Sequence, residues 1–285
     1  MRHEETRLSP ELAAQWKALR EKGIAIPKQP HVLMQIEKLG RVPGHHTKDL
    51  AALIRQDAGL SARLLYIVNS PVYSLVEDID NIERAVVLLG SERTLNLCRA
   101  ALLREAFAGG PMLDIFWDRS AIIAELTAAV AYRQHVGVSN DLAYLTGLFH
   151  ACGVAVLANA VPGYKDALRD ECTWTQLAAH DRQFGVDHVM VSYLVGRFWR
   201  LPEQAAEVIR QQHGYVGCGD ACTHIEGCDT EALHTRCAGL VASLQLALLI
   251  YNRMFLNSHG SEWEDCRASA LDVLGMSEEV LAKFA

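Results

Sequence analysis

The stretch LAYLTGLFHACGVAVL, residues 142–157, decides the fold class of this chain. Almost all of its residues are apolar, which predicts a buried helix rather than a surface segment. A histidine in such surroundings is most often a core residue with one ring nitrogen hydrogen-bonded. His150 is therefore predicted to be buried or half-buried, and any chemical role has to come from the residues that meet it.

Helical spacing continues through most of the chain. Thr47 opens a predicted helix whose apolar residues recur at three- and four-residue spacing up to Val68, with a break near Gly59. A second stripe begins at Ile82, and Gly90 ends it. Ser9, followed by a proline and an acid, is a further helix start. Since no long run alternates with period two, the sequence predicts an all-α fold.

The clearest boundary signal is Gly109-Gly110-Pro111, because two glycines and a proline together break a helix. The sequence predicts an N-terminal helical bundle over residues 1–110. A second helical lobe is predicted over residues 111–285.

Several short motifs follow one another in the order of a known family. They are IPKQP at 26–30, LAALIRQDAGLSARLL at 50–65, NSPVY at 69–73, IERAVVLLG at 82–90, Phe184-Gly185 with His188, WRLP at 199–202 and the segment 209–213. Together they resemble the HDOD (HD-related output) domain, a degenerate branch of the HD metal-dependent phosphohydrolase superfamily. The resemblance extends over residues 26–254 and implies an HD-like helical core in the second lobe.

Residues 146–153, TGLFHACG, are similar to the motif that gives the superfamily its name, with Ala151 in place of the aspartate. The resemblance implies a histidine one helix upstream, but Ser120 stands near that position and the predicted helix 116–134 contains no histidine. It also implies a downstream aspartate, where Gln245 stands in the predicted helix 240–251. Hard cations such as Mg²⁺ and Mn²⁺ need carboxylate oxygens, which these positions do not supply.

The resemblance therefore implies a pseudoenzyme: a catalytically inactive module of bacterial signal transduction that acts through protein–protein contacts. The implied partners are other signalling proteins, namely a sensor kinase, a receiver or a cyclic-dinucleotide enzyme. Two alternatives stay open, a phosphohydrolase or phosphodiesterase with a remodelled site and a sensor that binds a nucleotide or metabolite in the vacated pocket. No cofactor is expected.

His188 and His213 are the remaining degenerate-site positions, and the resemblance implies that both can approach His150. Three neutral imidazoles can hold zinc or nickel, so an adventitious transition metal is a further alternative. The usual paired histidines of the last motif are Gln212-His213 here, which weakens any metal site.

The segment 213–237 is rich in cysteine and histidine and has the character of an insertion between two core helices. Its candidate ligands are Cys218, Cys222, His224, Cys228, His234 and Cys237. Zn²⁺ accepts mixed thiolate and imidazole ligands, but this spacing matches no recognised finger or ribbon. An ordinary loop with reduced thiols, a structural zinc site and a disulfide are the three alternatives.

The segment Asn69-Ser70-Pro71-Val72-Tyr73 has two interpretations. Asn and Ser side chains commonly hydrogen-bond backbone groups at a turn, which favours a structural role. The resemblance makes Asn69, Ser70, Pro71 and Tyr73 candidates for an interaction surface.

Charge and composition favour a cytoplasmic protein. The formal net charge is −7, with 27 basic and 34 acidic residues, which argues against a nucleic-acid-binding surface. The polar N-terminus is unlike a signal peptide, and the apolar segment 238–251 is shorter than the ~20 residues of a membrane helix. We expect no membrane association.

Overall fold

The structure of the protein is a computed structural model. It describes residues 10–40, 42, 46–69, 77–107, 110–169, 174–213, 231–256 and 263–284; of residues 11 and 231–236 it describes the backbone alone. Within these ranges every regular element is a helix and no strand occurs. The all-α prediction is confirmed.

The chain divides into two compact units. The smaller unit is Pro27–Ala108, and the larger unit combines Met1–Ile26 with Gly109–Ala285. This division differs from the two predicted lobes in one respect, since residues 1–26 group with the C-terminal part. One physical reason is that Trp16 packs on Phe198, with ring centroids 5.0 Å apart.

The smaller unit contains five helices among its described residues: α2 (His31–Gly40), α3 (Thr47–Ile54), α4 (Ala58–Val68), α5 (Ile82–Leu89) and α6 (Ser91–Ala106). Helix α3 begins at Thr47 and α5 ends before Gly90, as predicted. The break expected near Gly59 lies instead at residues 55–57, where the Asp57 side chain accepts a hydrogen bond from the Leu60 N–H and so starts α4. A buried ion pair joins α2 to α6, with Arg99 Nε 3.1 Å from Glu37 Oε1.

The larger unit contains α1 (Pro10–Glu21) and the helices that follow residue 110. These are α7 (Pro111–Arg133), α8 (Asn140–Phe149), α9 (Cys152–Ala160), α10 (Tyr164–Ala167), α11 (Leu177–Phe184), α12 (His188–Phe198), α13 (Glu203–Gln211), α14 (Glu231–Phe255), α15 (Arg267–Leu274) and α16 (Glu278–Leu281). Helices α7, α8 and α14 pack together around a fully buried apolar cluster that includes Ile123, Ala143 and Leu244.

The single helix predicted over residues 142–157 is wrong, because it is interrupted at its most informative residues. Helix α8 ends at Phe149 and α9 starts at Cys152, so His150 and Ala151 occupy the junction. Helix α9 then packs on α12 at Gly153, where an added Cβ would lie 2.2 Å from the His188 carbonyl oxygen. If α8 continued straight through His150 and Ala151, α9 would point in a different direction and could not make this close contact with α12.

Two helical stretches are long and apolar enough to cross a membrane, judged by length and composition alone. They are Asn140–Ala160 and Cys237–Phe255, and the 18-residue windows that meet this test are 83% and 72% buried within the fold. The second is longer than the apolar segment 238–251 on which the sequence argument relied. Both stretches lie in the core of the larger unit, the first as α8, α9 and the junction between them, and buried core helices pass the same test as membrane helices.

Candidate functional site

A small cavity lies in the larger unit beside the junction of α8 and α9, with room for about one water molecule. Its walls come from α7, the junction between α8 and α9, α11, α12, α14 and the segments before α11, after α13 and before α15. The lining residues are Phe116, Arg119, Ser120, His150, Ala151, Trp174, Leu177, His188, Gln212, Leu248 and Trp263. Five positions that the sequence singled out therefore lie on one cavity: Ser120, His150, Ala151, His188 and Gln212.

His150 is a buried, neutral histidine. Its Nδ1 atom lies 2.6 Å from the Gly147 carbonyl oxygen, so Nδ1 carries the proton and donates it to that carbonyl. Burial lowers the pKa of His150 to about 3, and the positive charge of Arg119 acts in the same direction. This is the core histidine that the sequence predicted, with one ring nitrogen hydrogen-bonded.

Neither Ala151 nor Ser120 offers a metal ligand of the carboxylate type. Ala151 is buried and presents a methyl group. The Ser120 hydroxyl donates a hydrogen bond to the Phe116 carbonyl oxygen at 2.9 Å, one turn back on α7. The side chain at the expected upstream ligand position is thus used within its own helix.

Two glutamines tie the remaining ligand positions to the main chain. Gln245 is buried on α14 and donates through Nε2 to the Gln212 carbonyl oxygen at 2.8 Å. Gln212 is also buried and donates through Nε2 to the His150 carbonyl oxygen at 2.9 Å. The chain Gln245 to Gln212 to His150 fixes the end of α13 against the α8–α9 junction.

His188 is held by a carboxylate that the sequence analysis missed. Asp181 Oδ2 lies 2.6 Å from His188 Nδ1 and accepts the His188 backbone N–H at 2.6 Å, while Asp181 Oδ1 accepts the Tyr164 hydroxyl at 2.6 Å. Burial by itself raises the pKa of Asp181, but the charge of His188 and these hydrogen bonds outweigh it and lower that pKa below its usual value. Asp181 is therefore ionised, with both oxygens engaged.

His213 packs beside His188. The His188 and His213 ring centroids are 5.5 Å apart, and His213 stacks on Trp263 at 4.6 Å. The pKa of His213 is lowered to about 3, chiefly by burial and next by the neighbouring charge of His188. His213, like His150, is a neutral imidazole.

Helix α9 is fixed to α12 by Ser192. The Ser192 hydroxyl accepts the Gly153 N–H at 2.8 Å and donates to the His188 carbonyl oxygen at 2.7 Å. Because Gly153 has no Cβ, the two helices come close enough for this bridge. The bridge sets the distance between the segments that carry His150 and His188.

The described residues do not fit the divalent metal that an HD-type site implies. Among the described residues, three side chains of metal-binding type have ligand atoms within 4.8 Å of one another: Asp181, Asp187 and His188. Asp181 is fully engaged, and Asp187 Oδ1 accepts the Val189 and Met190 N–H groups as the cap of α12. His150, His188 and His213 do not meet the same distance condition, so no three-imidazole site is assembled.

The other candidate residues lie partly outside the described ranges. Of the cysteine- and histidine-rich set, Cys218, Cys222, His224 and Cys228 lie outside them, and His234 is described by its backbone alone. Cys237 is fully buried in the apolar cluster of the larger unit. Ser70, Pro71 and Tyr73 also lie outside the described residues.

Asn69 is described and has a structural role. Its Nδ2 donates to the Ile79 carbonyl oxygen at 2.8 Å, and its Oδ1 accepts the Ile79 N–H at 2.7 Å. This pair of bonds matches the turn-type role that the sequence allowed for it.

Sequence reasoning also missed Arg119 and Tyr164. Asp181 and His188 lie on different helices, and Tyr164 contacts Asp181 from a third, short helix. The helical spacing of apolar residues therefore gives no signal for these two contacts. A charged residue in the middle of the apolar face of α7 was the available signal for Arg119.

The fold recurs in solved structures. An HDOD domain protein of unknown function from Geobacter sulfurreducens matches with a TM-score of 0.61 at 21% identity, covering 96% of this chain and 95% of that one. A protein of Shewanella amazonensis SB2B, provisionally assigned as a phosphohydrolase, matches with a TM-score of 0.62 at 20% identity over 94% and 93%. A protein of Marinobacter aquaeolei VT8, provisionally assigned to signal transduction, gives 0.68 at 20% identity over 98% of this chain and 64% of that one.

A curated relative and a family model complete the comparison. An uncharacterized protein of Treponema pallidum (strain Nichols) is 24% identical over 197 residues, which are 66% of this chain but 37% of that protein's length. The model of the HDOD domain matches residues 26–215, so the match begins at the same residue as the motifs quoted above. The chain belongs to the HDOD domain family.

Proposed function

We propose that this protein is a catalytically inactive signalling module that acts by binding other proteins. The observation that carries the proposal is the chemistry of three residues at or beside the positions that the resemblance assigns to metal ligands. Ala151 and Gln212 line the cavity, and Gln245 is hydrogen-bonded to Gln212. Their side chains are a methyl group and two amides bonded to main-chain carbonyls. Such side chains keep the scaffold folded without a centre that activates water.

Membership in the HDOD family supports the signalling part of the proposal. The provisional assignment of the Marinobacter relative to signal transduction agrees with it. The proposed partners are a sensor kinase, a receiver or a cyclic-dinucleotide enzyme in the cytoplasm.

The first test is enzymatic. Purified full-length protein is incubated with cyclic dinucleotides and a general phosphodiester substrate in the presence of Mn²⁺, Mg²⁺ or Zn²⁺. We expect no turnover above that of the His150→Ala variant. Metal-dependent turnover that disappears in His150→Ala would show that the protein is an enzyme.

The second test concerns binding. Purified receiver and kinase domains of the same organism are titrated onto the immobilised protein, and Tyr73→Ala is compared with Tyr66→Ala. Tyr66 is an exposed tyrosine on α4 and serves as the matched control. We expect Tyr73→Ala to weaken binding of one domain at least about tenfold, as loss of an interface aromatic often does, and Tyr66→Ala to leave it unchanged. Equal effects of the two variants would remove Tyr73 from the interaction surface.

The cavity disfavours the sensor alternative, because space for about one water molecule is far below the volume of a nucleotide. A thermal-shift screen with nucleotides checks this point. A compound that raises the melting temperature of the protein, but not that of Ala151→Phe, would restore the sensor as the better account.

A further inference from the structure

Arg119 is a buried cation on the wall of the candidate site. It precedes Ser120 on α7 and lines the same cavity as His150, Ala151 and His188. Only 7% of the residue is exposed. The guanidinium group stays protonated in proteins, so this side chain places a permanent positive charge beside the cavity.

Four contacts with two segments hold the guanidinium in place. Its Nη2 atom lies 3.3 Å from the Trp174 carbonyl oxygen and 3.3 Å from Asn252 Oδ1. Its central carbon lies 4.8 Å from the Trp174 ring and 4.9 Å from the Tyr251 ring. Arg suits such a position, because its planar group stacks on aromatic faces while its edge donates hydrogen bonds.

These contacts connect three separate segments of the larger unit. Arg119 extends from α7, Trp174 precedes α11, and Tyr251 with Asn252 belongs to α14. Helices α7 and α14 are the elements that carry Ser120 and Gln245, the positions expected to supply the first and last metal ligands. Arg119 thus makes the cross-connection between these helices that a shared metal ion would otherwise make.

We propose that the Arg119 guanidinium is the resident cation of this site, that it replaces a divalent metal as the positive cross-link between α7 and α14, and that its charge excludes such a metal. The inference rests on the proposed loss of chemistry at the site. The described lining residues of the cavity include this cation and no acid.

The electrostatics of the neighbours agree with this assignment. The charge of Arg119 contributes, after burial, to the lowered pKa of His150. A positive charge that disfavours a proton on His150 also disfavours a divalent cation beside that ring. Asp181, the nearby carboxylate, is engaged with His188 and Tyr164 and does not face the cavity as a free ligand.

The test compares metal binding with and without the guanidinium after carboxylates are restored. The background variant is Ala151→Asp/Gln245→Asp in the full chain, and the test variant adds Arg119→Gln. Arg119→Lys in the same background keeps the charge and changes the shape. Arg133→Gln is the matched control, because it removes another ring-stacked arginine of the same helix, 4.6 Å from the Phe284 ring and facing solvent.

Mn²⁺ binding is measured by isothermal titration calorimetry and by the shift in melting temperature. We expect Arg119→Gln to tighten Mn²⁺ binding at least about tenfold over the background, the scale on which groups around a metal site change its affinity. Arg119→Lys and Arg133→Gln should leave the affinity at the background level. A variant that needs Mn²⁺ in order to fold would also support the proposal, since the metal would then replace the lost cation.

Two outcomes would overturn the proposal. One is Mn²⁺ binding of equal affinity with Arg119 and with Gln at this position. The other is a protein that stays unfolded with and without Mn²⁺ after Arg119→Gln. Either outcome leaves the phosphodiesterase assay on the unaltered chain as it was, so a failure here is distinguishable from a failure of the proposed function.

Discussion

The two sides of the cavity are built with different chemistry. On the side of α11 and α12, the ionised Asp181 accepts hydrogen bonds from His188 and Tyr164. On the side of α8 and α14, neutral His150, Gln212 and Gln245 donate to main-chain carbonyls. The first side depends on a buried charge and the second on amides and an uncharged imidazole.

This difference separates the scaffold from the chemistry. The carboxylate of Asp181 holds the backbone and the ring of His188. Neutral side chains occupy the positions that the resemblance assigns to metal ligands. Substitutions on the charged side should therefore cost more stability than substitutions on the neutral side.

Asp181→Asn should give the largest effect. The substitution keeps the shape of the side chain but removes the negative charge that binds His188. It also replaces one carboxylate oxygen by an NH2 group, which faces the hydrogen-bond donors of His188 or Tyr164. Breaking a buried ion pair costs about 3–5 kcal/mol, which we expect to lose from the free energy of unfolding in urea. Asp187→Asn is the control, because Asp187 is exposed and asparagine caps a helix equally well. Equal losses in both variants would contradict the special role of Asp181.

Gly153→Ala should rank second, because it acts on the crossing that joins the two sides. The new Cβ would lie 2.2 Å from the His188 carbonyl oxygen and 2.7 Å from the Ser192 nitrogen. These are backbone atoms of a packed helix, so overpacking should cost about 3 kcal/mol in chemical denaturation. At Gly196 the nearest atom is Leu201 Cδ1 at 3.3 Å, the end of a side chain that can move, and Gly196→Ala should be near neutral. A harmless Gly153→Ala would mean that α9 and α12 can separate without cost.

The two sides should also lose stability in different pH ranges. The pKa of His150 is about 3 in the folded protein and 6.5 in the unfolded chain, so the unfolded chain binds the proton first as the pH falls. The free energy of unfolding should therefore decrease from near pH 6.5 downward, by about 2 kcal/mol at pH 5 for this group.

The lowered pKa of Asp181 also makes stability fall as the pH falls, but in a lower pH range. Its contribution is present above the unfolded value of 3.8 and is lost only as the pH falls through the lower folded value. Urea unfolding from pH 7.5 to pH 4.5 checks the His150 range: the free energy of unfolding should change less steeply with pH in His150→Leu than in the unaltered protein. If His150→Leu leaves the pH dependence of the free energy of unfolding unchanged, that dependence comes from other groups, such as His213.

Gln212→Met should give the smallest effect. The change removes the hydrogen bond to the His150 carbonyl, but it also removes a buried Oε1 atom that has no hydrogen-bond partner. The two contributions oppose each other, so the loss should be about 1 kcal/mol in thermal or urea unfolding. A loss as large as that of Asp181→Asn would show that the two sides are equally demanding.

The sequence predicts most of the fold, because local rules decide it. The start of α3 at Thr47, the end of α5 at Gly90 and the buried state of His150 follow from spacing, turn chemistry and apolar surroundings. The family motifs beginning at residue 26 were also readable without coordinates, because each is short and local.

The rest depended on contacts between distant residues. The interruption at His150 and Ala151 follows from the crossing of α9 with α12, which no local pattern in residues 142–157 encodes. Asp181 and Arg119 contact the site from other helices, so their roles appear only once α11, α12 and α14 are placed around the cavity.

The amide of Asn69 has a practical consequence for protein engineering. Since both of its bonds go to the backbone of Ile79, they fix the ends of the intervening stretch whatever side chains that stretch carries. Closing a somewhat longer stretch costs little extra entropy, about 0.6 kcal/mol for each doubling of its length. We therefore expect substitutions between Asn69 and Ile79 to leave the two hydrogen bonds that join these residues in place.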